Sequence, residues 1–326
     1  RVQEIDDALE ILVHALQLRR RVGGCQRIFH LDCIPNRARY PPPHPPRDGM
    51  DAGAGKGGLT MHILRSRALP LVWAVAGLLC LAVPGRTAAA PFDRDYRLYA
   101  SVLAHHVKGG LVNYAALKAD PRDLTAFLDQ VAGLTEKEFD GWGANEQVAF
   151  LCNVYNATTL QLILENYPLK SIKEIGFLPH AAWRKGSVRL FGRILSLGGL
   201  ENDLLRAKYP EQPGVHFILV CAARGCPPLR GEPYSGRRLQ EQVDEQARAF
   251  FADTAKNRVV GVRRTVYLSP IFKWYEADFR RNGAAILDYA ERYLPPEAAA
   301  ELKTGGFRIE YTDYDWGLND SAAPGR

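Results

Sequence analysis

The feature that most constrains the fold is a long helical pattern at residues 145–167. Its sequence, NEQVAFLCNVYNATTLQLILENY, is mostly apolar and stops at Pro168, which cannot continue a helix. Asn153 and Asn156 interrupt the apolar run, although asparagine is a poor residue for a helix interior. Their spacing places both amides on one helix face, so we expect both to point inward.

Buried amides need hydrogen-bond partners, because each one left unpaired costs about 1–3 kcal/mol. Two interpretations fit Asn153 and Asn156. Either they tie the helix to a neighbouring loop, or together with Tyr155 they line a substrate pocket. Cys152 lies on a different face, where a buried cysteine usually acts as a small apolar side chain.

The other periodic segments are shorter and alternate between helix and hairpin patterns. Further helices are predicted at residues 92–107, 124–131, 200–208, 239–252, 271–279, 286–293 and 296–302. Hairpins are predicted at 188–197 and 258–268, a buried strand at 215–221 and a last strand at 307–311. Helices early and late with hairpins between them predict an α+β fold, a single domain of several helices around a small antiparallel sheet.

The first 89 residues have the pattern of a removable leader rather than of a domain. Residues 1–60 are rich in Pro and Gly and are expected to be disordered or spurious upstream sequence. Residues 61–89 read as a signal peptide, with a basic start, an apolar core and small residues before Ala89. The apolar core of about 16 residues is short for a membrane span, which needs about 20. We therefore expect residues 90–326 to be a periplasmic or secreted single domain with no stable membrane anchor after cleavage.

Charge and cysteine content agree with this division. The whole chain is formally +6, but residues 1–89 hold 12 basic and 7 acidic residues, which leaves 30 and 29 in the remainder. That balance gives no electrostatic case for nucleic acid. Three cysteines remain after residue 89, enough for one disulfide and one free thiol.

The chemistry-bearing stretch is Val215–Pro228, VHFILVCAARGCPP, with His216, Cys221 and Cys226. Strand alternation would place His216 and Cys221 on opposite faces, which favours Cys226, beyond the turn, as the partner of His216. A thiol held rigid by two following prolines suits a nucleophile activated by an imidazole. It also suits one half of a Cys221–Cys226 disulfide, structural or redox-active, and the residues alone leave these alternatives open.

Three further residues are candidates with two interpretations each. Glu201 either caps a short helix or orients His216. Lys273 and Trp274 either seal a domain edge or bind substrate. No metal site is predicted, because the adjacent His105 and His106 would diverge on a helix. No cofactor is predicted, because the sequence has no glycine-rich phosphate-binding loop. It also has no serine-nucleophile motif.

Five motifs together resemble the domain-of-unknown-function 547 family over roughly Val112–Asp320: AFLCNVYNATTLQLILENYP, LSLGGLENDLLR, HFILVCAARGCPPLR, LSPIFKWYEADF and YDWGLN. The family has been likened to papain-like and phytochelatin-synthase-like cysteine enzymes. The resemblance implies Cys226 as nucleophile, His216 as base and Glu201 as orienter, with Asn153 and Asn156 supporting the pocket. The Glu–His–Cys order differs from that of papain, so the likeness requires a permuted arrangement. Cysteine at 152 also departs from the large apolar residue usual there.

These observations lead to two functional expectations. The first is an exported thiol-dependent hydrolase or transferase acting on peptide-like amides of the γ-glutamyl or glutathione type. The second is a non-catalytic cell-envelope binding domain stabilised by a Cys221–Cys226 disulfide. A small peptide-like or thiol ligand is expected, and the sequence predicts no particular protein partner.

Overall fold

The computed structural model describes residues 91–281 and 285–322, which belong to one compact unit, Ala90–Arg326. The predicted upstream segment and signal peptide, residues 1–89, lie outside the described residues. The described part is a mixed α+β structure with twelve α-helices and three small sheets.

The first half is mostly helical. Its elements are α1 Arg97–His106, β1 Val107–Lys108, β2 Leu111–Val112, α2 Tyr114–Ala119, α3 Arg122–Gly133, α4 Glu136–Asp140 and α5 Ala144–Asn166. Helix α5 agrees with the predicted helix to within one residue at each end. Sixteen of its 23 residues are buried, and they occur on all of its sides. A helix that is apolar all round must be covered all round. Accordingly α2, α3 and β3 pack on it, as do elements from the second half.

A hairpin follows α5, close to where the sequence places one. After a 3-10 helix, Ile172–Glu174, come α6 Ala181–Arg184, β3 Gly186–Leu190 and β4 Arg193–Ser196. Phe191 and Gly192 both have positive φ, 54° and 70°. Two consecutive positive φ angles are what a type I′ hairpin turn requires. The turn therefore lies one residue earlier than the predicted pair Gly192-Arg193.

The predicted strand at residues 215–221 is wrong. The chain runs through α7 Leu197–Gly199, a π-helix Leu200–Arg206 and a 3-10 helix Pro213–Phe217, and then continues without regular structure to Cys221. Val215–Val220 are buried as expected. A short buried apolar run does not by itself distinguish strand from other buried chain. The backbone around Ile218–Val220 pairs with a side chain of α5 instead of a neighbouring strand. Strand alternation therefore cannot decide which way His216 and Cys221 face.

The last part contains the largest sheet. Its elements are α8 Leu239–Ala252, β5 Arg258–Val260, a 3-10 helix Gly261–Arg263, β6 Thr265–Leu268, α9 Ile271–Trp274, α10 Glu276–Phe279, α11 Ile286–Tyr293, α12 Pro296–Leu302 and β7 Arg308–Tyr311. Strands β5 and β6 form the predicted antiparallel hairpin, whereas β7 pairs with β6 in parallel. The expectation of a purely antiparallel sheet is therefore corrected to a mixed one. The predicted helix 271–279 divides at Tyr275 into α9 and α10.

None of the helices in residues 91–281 and 285–322 has both the length and the apolar character needed to cross a bilayer.

Two buried tyrosines give a matched test of the core. The Tyr99 hydroxyl is buried and has no hydrogen-bond partner among the described residues, while its ring stacks on Phe127 at 5.0 Å. Tyr114 is equally buried, but its hydroxyl donates to Asn319 Oδ1 at 2.7 Å. Tyr99→Phe should leave the free energy of unfolding unchanged or raise it by up to about 1 kcal/mol, because an unpaired buried hydroxyl is costly. Tyr114→Phe should lower it by about 1–2 kcal/mol. Denaturant titration of both variants checks this, and equal losses would contradict it.

Candidate functional site

Asn153 and Asn156 of α5 each form two hydrogen bonds with the backbone of a loop, one as donor and one as acceptor. Asn153 Nδ2 donates to Tyr234 O at 2.8 Å, and Tyr234 N donates back to Asn153 Oδ1 at 2.9 Å. Asn156 Nδ2 donates to Ile218 O at 2.9 Å, and Val220 N donates to Asn156 Oδ1 at 2.9 Å. Each amide thus reproduces the donor–acceptor pair of a neighbouring strand. These are the contacts expected for a tie from the helix to its loops; those of Asn156 fix the chain that leads into Cys221, and those of Asn153 fix the chain at Tyr234.

Residues 221–226, which we call the cysteine turn, are closed by a disulfide between Cys221 and Cys226. Ala222 within it has φ 63°, a left-handed conformation that is uncommon for residues other than glycine. The C-terminal YDWGLN motif holds this conformation through backbone hydrogen bonds. Arg224 N donates to Gly317 O, Gly225 N to Asp315 O, and Asn319 N to Ala222 O, at 2.8, 2.8 and 2.9 Å. Two motifs that are 90 residues apart in sequence therefore form one rigid substructure.

The sulfur of Cys226 lies among hydrogen-bond donors. Cys221 N and Tyr314 Oη donate to Cys226 Sγ at 3.1 and 3.0 Å. Lys256 Nζ donates to Cys226 O at 2.9 Å and also pairs with Asp253 Oδ2 at 3.1 Å, which brings a partly neutralised positive charge to the same residue. Cys226 is 4% exposed. Donors and positive charge around a sulfur favour its thiolate form once the sulfur is reduced.

His216, in the 3-10 helix, pairs with an acid that the sequence analysis did not connect to it. Its Nε2 lies 2.9 Å from Asp278 Oδ2 on α10, and Arg206 Nε donates to the same oxygen at 2.6 Å. Burial alone would raise the pKa of Asp278, but the hydrogen bonds from His216 and Arg206, with the Arg206 charge, outweigh it and hold that pKa well below its usual range. Because Nε2 faces the carboxylate, any base chemistry of this ring uses Nδ1.

Glu201 reaches His216 through a tyrosine rather than directly. The Tyr275 ring stacks on the His216 ring with centroids 3.8 Å apart, and its hydroxyl donates to Glu201 Oε1 at 2.7 Å. Tyr155 also lies near Glu201, and its hydroxyl accepts a hydrogen bond from Trp183 Nε1 at 3.2 Å. Burial first, and the nearby Glu201 carboxylate second, raise the pKa of both tyrosines far above the usual range. Both phenols therefore remain protonated donors at any physiological pH.

An aromatic cluster adjoins the cysteine turn. The Tyr314 ring lies 4.8 Å from Trp274 and 4.6 Å from Trp316, and Trp316 is 6.2 Å from Trp183. Trp274 thus packs against the residue whose hydroxyl contacts Cys226. Lys273, the neighbouring substrate-binding candidate, is exposed.

The structure therefore places the predicted site residues in two groups, Cys226 with Tyr314 and Trp274, and His216 with Glu201 around Tyr275. Within the described residues, no hydrogen bond connects His216 to Cys226 or to Glu201. The direct partner of His216 is Asp278, and that of Cys226 is Tyr314. Both belong to motifs quoted in the sequence analysis, LSPIFKWYEADF and YDWGLN, but the sequence did not show that they pair with residues 62 and 88 positions away.

Residues 139–251 match the family described as Protein of unknown function, DUF547. The chain contains a DUF547 domain. The match is narrower than the motif resemblance, since it includes Glu201, His216 and Cys226 but ends before Asp278 and Tyr314. No curated protein and no solved structure is significantly similar to the chain.

Proposed function

We propose that this DUF547 domain is an exported, thiol-dependent hydrolase or transferase that acts on peptide-like amides, with Cys226 as its nucleophile. The observation that carries the proposal is the convergence of the Cys221 amide and the Tyr314 hydroxyl on Cys226 Sγ. Thiolates, not thiols, are the nucleophiles in such reactions, and donors aimed at the sulfur stabilise the thiolate.

The thiol becomes available when the disulfide is reduced. A dithiol reductant supplies two electrons and two protons, is itself oxidised to a disulfide, and leaves Cys221 and Cys226 as thiols. The Cys226 thiolate then attacks the amide carbonyl, forming a carbon–sulfur bond, and the carbon–nitrogen bond breaks as the leaving amine takes a proton. Water or a second amine resolves the thioester and returns Cys226 to its starting state.

His216 is the base of this proposal, with Asp278 as its orienter. A carboxylate at 2.9 Å fixes the ring and stabilises the imidazolium that forms on proton uptake. Glu201 has a positioning role, because it holds the Tyr275 ring that stacks on His216. The permuted papain-like or phytochelatin-synthase-like arrangement belongs to the same proposal and is supported by this set of thiol, imidazole and carboxylates.

The proposed substrates are amides of the γ-glutamyl or glutathione type, and the proposed compartment is the periplasm or the exterior. The signal-peptide pattern of residues 61–89 supports the compartment. The aromatic cluster and the tyrosine hydroxyls beside the cysteine turn support a small ligand that combines apolar and hydrogen-bonding groups.

Selective alkylation of the reduced protein tests the nucleophile. After mild reduction, iodoacetamide near neutral pH should label Cys226 much faster than Cys221, as read by mass mapping of each cysteine. Cys152 is the internal control: it is fully buried, burial raises the pKa of its thiol, and it should stay unlabelled. Tyr314 Oη lies 3.0 Å from Cys226 Sγ and 3.4 Å from Cys221 Sγ, so Tyr314→Phe should slow the labelling of Cys226 several-fold and that of Cys221 less. Equal labelling of Cys221 and Cys226 would sink the proposal.

The second candidate is a non-catalytic cell-envelope binding domain. The specific observation in its favour is that Cys226 is buried in a closed disulfide within a turn braced by the C-terminal motif. It predicts that the disulfide resists mild reductant and that Cys221→Ala/Cys226→Ala lowers the stability of the fold. The thiol-enzyme proposal predicts instead that Cys226→Ala abolishes amide cleavage in the reduced protein with thermal stability nearly unchanged.

A further inference from the structure

Residues 176–180, which we call the apolar loop, present two apolar side chains to solvent. Phe177 is fully exposed, at 106% of its reference area, and Leu178 is 68% exposed. Left-handed residues close both ends of the loop, Gly176 with φ 83° and His180 with φ 58°. A Cβ on Gly176 would lie 2.6 Å from that of Ala181, so the turn requires glycine. The backbone conformation at Gly176 and His180 therefore holds Phe177 and Leu178 in their exposed positions.

The sequence on both sides of the loop is rich in positive charge, although Lys185 pairs with Glu165 at 3.1 Å. Between residues 170 and 185 the chain carries Lys170, Lys173, Arg184 and Lys185 against a single acid, Glu174. The Arg184 guanidinium hydrogen-bonds the carbonyl of Pro179 and so lies at the loop itself. The local excess contrasts with the near-neutral balance of residues 90–326.

Half-exposed tryptophans continue the surface on the α6 side. His180 packs 5.9 Å from Trp183, and Trp183 packs 6.2 Å from Trp316. Lys173 Nζ lies 4.8 Å from the centroid of the Trp316 ring. Tryptophan suits a boundary where one end of the side chain is apolar and the other wet.

We propose that the apolar loop, with its basic rim, binds the surface of an anionic membrane. Two protruding apolar side chains can enter the boundary between lipid headgroups and acyl chains, while Arg184 and the neighbouring lysines meet anionic headgroups. A protein groove would suit these side chains only by enclosing the loop tip, and the excess of basic residues next to the loop, with Arg184 at the loop itself, favours the lipid surface. The proposal is independent of the thiol chemistry, but because Trp183 hydrogen-bonds Tyr155, it would place the candidate site close to the membrane.

A tryptophan placed at the loop tip gives a local readout in the full chain. Phe177→Trp is mixed with vesicles of brominated phosphatidylglycerol and, separately, of brominated phosphatidylcholine. Val262→Trp is the matched control, since Val262 is 97% exposed and is followed by Arg263 and Arg264. We expect the emission added by Phe177→Trp to be quenched by the anionic vesicles and that added by Val262→Trp to be unaffected. Comparing the two sites removes any contribution that other segments make to vesicle binding.

A charge variant tests the basic rim. Lys170→Gln in the Phe177→Trp background should weaken vesicle binding by about fivefold, because one cation near an anionic lipid surface raises the binding constant by about that factor. Lack of quenching at residue 177, equal quenching at 177 and 262, or equal quenching by both lipids would each overturn the proposal. The first of these results would leave a protein partner as the occupant of the loop.

Discussion

Replacing Asp278 with alanine should lower the free energy of unfolding by about 3 kcal/mol. The substitution leaves His216 and Arg206 without the oxygen that both of them contact, at 2.9 and 2.6 Å. The His216 side chain is only 2% exposed, so solvent does not replace the lost acceptor. Removing one member of a buried charged group costs more than the group contributes, since the remaining members stay desolvated. Equilibrium denaturation at pH 7 measures the loss.

The pH dependence of the free energy of unfolding distinguishes the contribution of Asp278 from that of exposed acids. The pKa of Asp278 is lower in the folded protein than in the unfolded chain, where it is about 3.9, so the unfolded state takes up protons first as the pH falls. The stabilisation by Asp278 is therefore complete above about pH 4 and is lost progressively below it. Asp278→Asn retains an acceptor of similar size, and we expect its stability to fall less steeply below about pH 4 than that of the native protein.

A surface acid supplies the matched control for the pH experiment. Asp129 forms an ion pair with Arg189 in which both side chains are more than half exposed. Exposed pairs of this kind contribute about 0–1 kcal/mol, so Asp129→Asn should leave the acid slope nearly native. If Asp278→Asn and Asp129→Asn reduce the pH dependence of the free energy of unfolding equally, Asp278 is not the main source of the loss of stability in acid.

The elements that the sequence predicted best are those with local signals. Helices α5, α8, α11 and α12 have their predicted bounds to within one residue, because apolar periodicity and a stop such as Pro168 act within the element. The prediction of a strand at residues 215–221 is wrong for the opposite reason. Its apolar residues show only that it is buried, and its backbone partner, Asn156, lies more than 60 residues away.

The candidate site shows the same division between residue type and pairing. The sequence singled out Cys226, His216 and Glu201 by chemistry, and all three are buried; His216 and Glu201 both contact Tyr275, whereas Cys226 contacts Tyr314. It could not show that Tyr275 stands between Glu201 and His216, or that Tyr314 donates to Cys226 Sγ. Those contacts depend on how α9, α10 and the C-terminal motif pack, and no spacing in the sequence encodes that packing.

The two asparagines of α5 illustrate how a correct local inference can leave the function open. Their poor helix propensity correctly indicated that buried partners exist, but a pocket and a loop would serve equally well as partners. The structure shows loop backbone on both sides of both amides. They are therefore better placed to hold the chain before the cysteine turn, at Ile218–Val220, and after it, at Tyr234, than to contact a substrate.

Asn156→Ala should accordingly lower the free energy of unfolding by about 3 kcal/mol, because it leaves the Ile218 carbonyl and the Val220 amide buried without their partner. Both residues are almost completely buried, at 0% and 3% exposure, so water does not easily replace the side chain. The same change frees the chain immediately before Cys221, and we expect faster hydrogen exchange at residues 218–221 under native conditions.

Gln161→Ala is the control on the same helix. The Gln161 side chain is only partly buried; its Nε2 donates to Glu165 Oε1 at 3.5 Å and its Oε1 has no partner among the described residues, so its removal should change stability by about 0.5 kcal/mol or less. Denaturant titration and amide exchange on both variants make the comparison. If Asn156→Ala unfolds no more easily than Gln161→Ala, then the amide is not what holds residues 218–220. The position of the cysteine turn would then depend on its bonds to the C-terminal motif alone.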